Sequence, residues 1–335
     1  MCVCGLIIYM GTHNYEELIS IENLFQAWNE FRIGKRKRKD VQFFERNLED
    51  NLFNLHQVLK EKTYKHGQYQ SFYVYDPKLR HIHKAIVQDR IVHHLLYKYL
   101  YALFDKSFIF DSYSCRLNKG THKAVDRLEK FTRIVSKNYT KDCWALKLDI
   151  KKFFANVDHD ILIGLLNKKI KDQDILWLLK QVIESFPTGI PLGNLTSQVF
   201  ANIYMNELDQ FMKHQLRIKY YLRYADDFLI LSNDKESLEQ LIEPIGSFLK
   251  VKLELELHPK KIIFRKFDWG IDFLGYIVLP HYILPRTKTK KRILQKLKAK
   301  QGLENFNQSL QSYLGYLSHA NAYGVRQKLG FMSHH

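Results

Sequence analysis

Lys219-Tyr220-Tyr221-Leu222-Arg223-Tyr224-Ala225-Asp226-Asp227-Phe228-Leu229-Ile230-Leu231-Ser232 is the stretch on which the reading of the whole chain turns. Residues 219–224 and 228–232 are aromatic and aliphatic runs of strand length, and only Ala225, Asp226 and Asp227 lie between them. The segment therefore reads as a hairpin with its acids at the tight connection. Side chains there project from one sheet edge, and paired carboxylates offer the hard oxygen ligands that Mg²⁺ prefers. Asp-Asp between strands is also the composition of an ordinary solvated turn, so the reading needs support from elsewhere. Because neighbouring strand residues face opposite ways, Asp226 ranks first as a ligand and Asp227 second.

The support is a second acid at a strand end, Asp149 in Leu146-Lys147-Leu148-Asp149-Ile150-Lys151-Lys152-Phe153-Phe154. Transfer of a nucleotide calls for two hard cations, oxygen ligands from protein and substrate, and an in-line geometry at phosphorus. Acids brought together from two adjacent strands supply that clamp. Phe154, five residues beyond Asp149, either packs in the core or lies under the sugar of an incoming nucleotide, where a ring would exclude a 2′-hydroxyl.

The composition agrees with a polyanionic partner. The 335 residues carry 52 Lys and Arg against 35 Asp and Glu, a formal charge of +17, and such an excess raises encounter rates with nucleic acid. The charge is clustered: Lys35-Arg36-Lys37-Arg38-Lys39, then Arg286, Lys288, Lys290, Lys291, Arg292, Lys296, Lys298 and Lys300. Cys2, Cys4, Cys115 and Cys143 have no zinc-site spacing and suggest reduced thiols in a cytoplasm-like compartment. The apolar opening from Met1 to Met10 is too short to span a membrane and lacks a basic start; Met10 is an alternative natural start. His81, His83, His93 and His94 lack an acid or cysteine to complete a metal set, and Phe200, Tyr204 and Phe211 fall at helical spacing, as core residues do.

Along the chain, helices are expected from Ile19 to Glu61, interrupted by the basic run, and again from Ile86 to Phe104. Ser71 to Tyr75 reads as a strand that Pro77 breaks. Trp144 to Asp149 is a strand, and Asp158 caps a helix to about Asn167. Further helices cover about Asp174 to Ser185, Ser197 to His214, and Lys235 to Leu249 with a bend at Pro244. Strands follow near Val251 to Leu257, Ile262 to Phe264 and Ile271 to Leu279, and beyond Pro280 and Pro285 the chain reads as helix. The order is helical and basic, then α+β with antiparallel strands, then a helical tail.

Asp149 to Asp160, Gly189 to Asn202, Tyr224 to Asp227, His258 to Lys261 and Phe273-Leu274-Gly275-Tyr276 resemble, in order, the characteristic blocks of reverse transcriptases. With Arg80-His81-Ile82, Asp89-Arg90 and Tyr113-Ser114-Cys115-Arg116 they cover most of the chain from Ser71 to Val278. The resemblance implies a right-hand polymerase of α+β class: an extension over 1–18, fingers mainly over 19–140 and 165–190, a palm mainly over 141–164 and 191–279, and a helical thumb over 280–335. It implies two Mg²⁺ ions, with Mn²⁺ as a possible substitute, held by Asp149, the Ile150 carbonyl, Asp226 and Asp227. It also implies that Arg80 and Arg116 contact the triphosphate or template, that Phe154 is the sugar gate, and that Lys261, or else Lys260, lies by the pyrophosphate, where a cation offsets developing charge. Phe273, Leu274, Gly275 and Tyr276 would grip the primer. Lys35, Arg36, Lys37, Arg38, Lys288, Lys290, Lys291 and Arg292 would meet nucleic acid backbone.

One block narrows the resemblance. Group II intron-type enzymes carry Gln-Gly followed by Ser-Pro, whereas this chain has Leu192-Gly193 and Ser197-Gln198. That form resembles the reverse transcriptases of diversity-generating retroelements, which copy a template RNA with frequent errors at adenines. Leu in place of Gln is either a neutral packing swap or a loss of polar contacts beside the nascent base pair, which would weaken discrimination; the resemblance implies that Leu192, Gly193 and Gln198 join the nucleotide-binding set. The implied partners are template RNA, the RNA/cDNA duplex, dNTPs and a small basic accessory protein in a cytoplasmic ribonucleoprotein. Two other readings stay open: an antiphage-defence enzyme making cDNA from its own RNA or without a template, and a catalytically idle RNA-binding scaffold.

Overall fold

The computed structural model describes residues 14–75 and 78–332; the apolar opening, the choice between Met1 and Met10, and the break at Pro77 lie outside them. The described strands are β1 (Gln70–Val74), β2 (Arg80–Lys84), β3 (Trp144–Asp149), β4 (Tyr221–Tyr224), β5 (Asp227–Ser232), β6 (Ile263–Lys266), β7 (Ile271–Phe273), β8 (Tyr276–Leu279) and β9 (Tyr282–Pro285). They form a β1-β2 hairpin, a central sheet in the order β4-β5-β3-β6, and a β7-β8-β9 sheet. Every neighbouring pair is antiparallel.

The central sheet is buried on both faces, which explains why Phe228-Leu229-Ile230-Leu231 is an unbroken apolar run rather than an alternating one. Leu146, Ile230 and Tyr221 stand opposite one another and enter a core shared with helices Val87–Phe104, His159–Asn167, Gln173–Ile183 and Leu195–Gln210. Ala145, Leu231, Leu229 and Leu222 point the other way. They meet helix Thr121–Val135, the β7-β8-β9 sheet, and helices Thr287–Lys300 and Phe306–Leu317. The two-residue period of β3 and β5 thus divides the protein into two cores with the sheet between them. The expected α+β class with antiparallel sheets is what the chain adopts.

Three local expectations are corrected. Val251 to Leu257 is not a strand: helix Ile242–Leu253 runs into it, Glu254 turns out with φ +50°, and only Leu257 pairs, bridging to Ile150. The helical spacing of the buried Ile245, Leu249 and Leu253 overrides the two-residue alternation that follows. Pro244 does not bend a helix. The chain breaks earlier, between Lys235–Glu239 and Ile242–Leu253, and Pro244 lies in the first turn of the second helix, where its missing N–H removes no intrahelical bond. The segment beyond Pro280 is not all helix, since Tyr282–Pro285 pairs with β8.

Candidate active site

Asp149 ends β3 and stands directly across from Asp227, the first residue of β5; Tyr224 closes β4 across from the same Asp227. Ala225 and Asp226 are then the whole connection. A two-residue hairpin of this kind needs left-handed backbone, and Ala225 supplies it with φ +55°. A Cβ in that region costs about 1–2 kcal/mol. Replacing Ala225 by Gly relieves this, less about 0.5–1 kcal/mol for glycine's larger unfolded-state entropy. Ala225→Gly is therefore expected to stabilise the fold by about 0.5–1 kcal/mol, seen as a higher urea midpoint at unchanged m-value; a lower midpoint contradicts the strain.

The carboxylates lie near enough to disfavour one another's charge. Burial, reinforced by the neighbouring Asp149 and Asp227, pushes the Asp226 carboxyl up to about 6. Burial also raises Asp227, Lys147 opposing it, with the Lys147 ammonium 3.4 Å from an Asp227 oxygen. Lys261 Nζ donates to Asp149 Oδ1 at 2.5 Å. It arrives there because the His258 N–H bonds the Asp149 carbonyl at 2.8 Å, which anchors the short turn Pro259–Lys261 beside β3. The same bond and Lys151 N–H to Glu256 O flank the bridge between Ile150 and Leu257, so the Ile150 carbonyl takes no part in that bridge.

A closed three-carboxylate cluster is not what the chain presents: among the described residues no three His, Cys, Asp or Glu side chains are gathered as a metal group. Asp149 and Asp227 are each turned to a lysine instead. The donor set nevertheless suits a hard divalent cation. It is oxygen-only and partly desolvated, and burial together with the neighbouring carboxylates raises the Asp226 pKa in spite of Lys261.

Other expected site residues fall in different places. Phe154 is half-buried and packs edge-on against Phe153. Its carbonyl receives the Ile190 N–H at 2.7 Å, and a Cβ on Gly189, whose φ is +69°, would come within 2.3 Å of that oxygen. Only glycine lets the 187–190 loop close on Phe154. Leu192 accepts the His83 N–H at 2.8 Å and Asn194 donates to the His83 carbonyl at 2.9 Å, so the Leu192-Gly193 block is laid against β2; Gln198 is exposed on helix Leu195–Gln210. Arg80 is exposed on the β1-β2 hairpin. Arg116 points inward. Its guanidinium bonds the Asp105 side chain at 2.6 Å and the carbonyls of Ile109 and Ser112, and its side chain is 8% exposed. The expected contact with triphosphate or template does not fit that placement: Arg116 pins a loop, because a carboxylate and three carbonyls already occupy its donors.

Phe273 and Tyr276 are fully buried and close the β7-β8 hairpin, leaving Leu274 and Gly275 at its tip. Lys147 Nζ lies 5.8 Å from the Phe273 ring centre, which puts that hairpin beside the acids. In the first basic run, Lys35 is drawn to the Phe31 carbonyl and Arg36 to Glu45, whereas Lys37 and Arg38 are exposed. Thr289, Ile293 and Leu297 bury one stripe of helix Thr287–Lys300; Lys288 and Lys291 are exposed, Lys290 and Arg292 half-buried.

The sequence reading missed the support beneath the acids. Arg223, in the middle of an apolar strand, is fully buried and bidentate to Asp209 at 2.8 and 2.7 Å. It also reaches Ser112 Oγ, Asn202 Oδ1 and, at 3.0 Å, the carbonyl of the strained Ala225. A charge inside an apolar run was the available signal.

The profile of the family described as reverse transcriptase (RNA-dependent DNA polymerase) matches residues 65–278. The group II intron-encoded protein LtrA of Lactococcus lactis subsp. cremoris is 23% identical over 304 residues, covering 68% of this chain and 49% of that protein. A putative COX1/OXI3 intron 2 protein of Saccharomyces cerevisiae is 22% identical, covering 62% of this chain and 31% of its own. The chain thus spans a third to a half of these curated relatives. A structure of apo telomerase from Candida tropicalis superposes with a TM-score of 0.53 at 13% identity, over 73% of this chain and 51% of that one, a likeness of fold.

Proposed function

The chain belongs to the reverse transcriptase family, with homology to the group II intron-encoded enzymes, and from that premise we propose that it is an RNA-directed DNA polymerase with Asp149, Asp226 and Asp227 at its catalytic centre. The observation that carries this reading is the register that sets Asp149 across from Asp227, with Asp226 on the adjoining two-residue turn.

In this reading the three carboxylates and the Ile150 carbonyl hold the divalent ions, Mg²⁺ or in its place Mn²⁺. Bound there, they supply activation of the primer 3′-hydroxyl and neutralisation of charge at the triphosphate. The protein's own groups do the rest. Lys261, paired with Asp149, would offset charge developing on the departing pyrophosphate, with Lys260, which is exposed, as the neighbouring candidate. Phe154, held by the Gly189 loop, closes the space a 2′-hydroxyl needs. Leu192, Gly193 and Gln198 border the nascent pair, Arg80 meets the triphosphate or template, and Phe273 to Tyr276 seat the primer end. Residues 19–140 and 165–190 serve as fingers, 141–164 and 191–279 as palm, and 280–335 as thumb, whose Lys288, Lys290, Lys291 and Arg292 face duplex backbone with Lys37 and Arg38 on template RNA.

The finer reading is that of a diversity-generating retroelement enzyme, acting with template RNA and a small basic accessory protein. Leu192 and Ser197-Gln198 support it. Among the described residues no helix is long and apolar enough to cross a membrane. The test is extension of a DNA primer on RNA with dNTPs and Mg²⁺, followed by sequencing of the product. Extension is expected, with substitutions concentrated at template adenines; faithful or untemplated product removes the finer reading, and absence of synthesis removes the polymerase.

A further inference from the structure

The Leu274-Gly275 turn is held from an unexpected quarter. Both residues have left-handed φ, +49° and +93°, as a tight two-residue hairpin requires. The Tyr316 phenol, from helix Phe306–Leu317, rests directly on it: a Cβ at Gly275 would lie 2.8 Å from the Tyr316 oxygen. Tyr316 donates to the Gly275 carbonyl at 2.8 Å, and the Arg286 N–H donates to the same oxygen at 2.9 Å. In return the Tyr276 hydroxyl donates to the Tyr316 carbonyl at 2.8 Å, and the two rings stack with centres 4.7 Å apart. Burial holds the Tyr316 phenol above its ordinary pKa, so it remains a donor through the neutral range.

A second contact links the same two elements through a third, helix Thr121–Val135. His319, just past the helix, stacks on His122 with ring centres 3.5 Å apart. His122 stands at the start of helix Thr121–Val135, and its Nδ1 is 3.3 Å from the Tyr276 oxygen. The C-terminal helices are therefore fastened to the tip of the β7-β8 hairpin, and a shift of helix Phe306–Leu317 carries the Gly275 carbonyl with it.

We propose that Tyr316 is a positioning residue, which couples the C-terminal helices to the Leu274-Gly275 turn and thereby sets where a primer 3′ end rests. The inference builds on the primer-grip reading of that turn. Misplacement of a reacting atom by about 1 Å costs up to about a hundredfold in rate, and loss of one hydrogen bond shifts an equilibrium between two turn positions about three- to tenfold.

Tyr316→Phe keeps the ring stack and removes only the donor. In single-turnover extension of a primed RNA at saturating dNTP, normalised to titrated active sites, the rate is expected to fall about three- to tenfold. The affinity for primed RNA should stay within about twofold. Gly275→Ala disturbs the same contact, so the double variant should lose less than the product of the two single losses. A merely structural role would lower the active-site titre and leave the normalised rate unchanged. A Tyr316→Phe rate equal to wild type, or losses that multiply, overturns the proposal. If the wild-type chain itself extends no primer, the polymerase reading fails first, and the two failures are distinct.

Discussion

Asp226→Asn is expected to lower nucleotide addition about a thousandfold or more while binding of primed RNA changes by no more than a few-fold. The amide keeps the size of the side chain and the two-residue turn, but removes the charge that a cation at the β3-β5 edge requires. Groups that act together in a transition state show losses of that order or larger when one is removed. Asp149→Asn should cost about as much, and the double variant little more than either, because the first substitution already disables the unit. Residual synthesis within tenfold of wild type would defeat the assignment of Asp226.

The same substitution makes a stability prediction of opposite sign. The folded Asp226 carboxyl titrates at about 6, above its ordinary 3.8, so the folded chain holds a proton that the unfolded chain has released across that interval. Stability contributed by the proton is full below the unfolded value and is lost as pH rises through 6. At about 1.4 kcal/mol per pH unit the loss approaches about 3 kcal/mol. Asp226→Asn carries no such burden, so it should be more stable than wild type at pH 8 by about 1–3 kcal/mol and equal to it near pH 4. Added Mg²⁺ should close the gap at pH 8 by raising the wild-type Tm, and do little at pH 5, where the carboxyl keeps its proton. A wild type that is the more stable protein at pH 8 without metal would contradict the crowding of charge at this edge.

The acids were legible because their arrangement is local. Two apolar strands, a short acidic connection and an acid at the end of another apolar strand are all visible in the sequence, and antiparallel pairing does the rest; that Asp227 belongs to the strand, leaving a connection of two residues, comes from the register. Residues whose meaning depends on a distant partner were not legible. Arg116 belongs to a matching block, yet its side chain is held inward by Asp105 and by loop carbonyls whose approach no spacing reveals. Lys261 reaches Asp149 only because the His258 amide pairs with the Asp149 carbonyl. Val251 to Leu257 carries two periods at once, and the choice between them is made by the core that receives Ile245, Leu249 and Leu253. Tyr316 lies forty-one residues from the turn it touches.

Removing the carboxylate beneath the Ala225-Asp226 turn is expected to produce the largest loss of stability. Arg223 and Asp209 are both inaccessible to solvent, so Asp209→Ala leaves a guanidinium buried with only neutral partners, Ser112, Asn202 and the Ala225 carbonyl. Breaking such a pair from one side costs about 3–5 kcal/mol, to which the orphaned Tyr221 hydroxyl, now bonded to Asp209 at 2.7 Å, adds. Chemical denaturation of Asp209→Ala should show this directly. Replacing both charges with apolar side chains of similar volume, Arg223→Met with Asp209→Leu, should recover most of the loss, because the desolvation penalty leaves with the ions. Besides the partner of the Tyr221 hydroxyl, the double variant does not recover the bond from Arg223 to the Ala225 carbonyl, which fixes a strained turn one residue before Asp226. A double variant near wild-type stability but well below wild-type extension rate would separate the two roles of Arg223; one that regains both would make the buried pair a matter of folding alone.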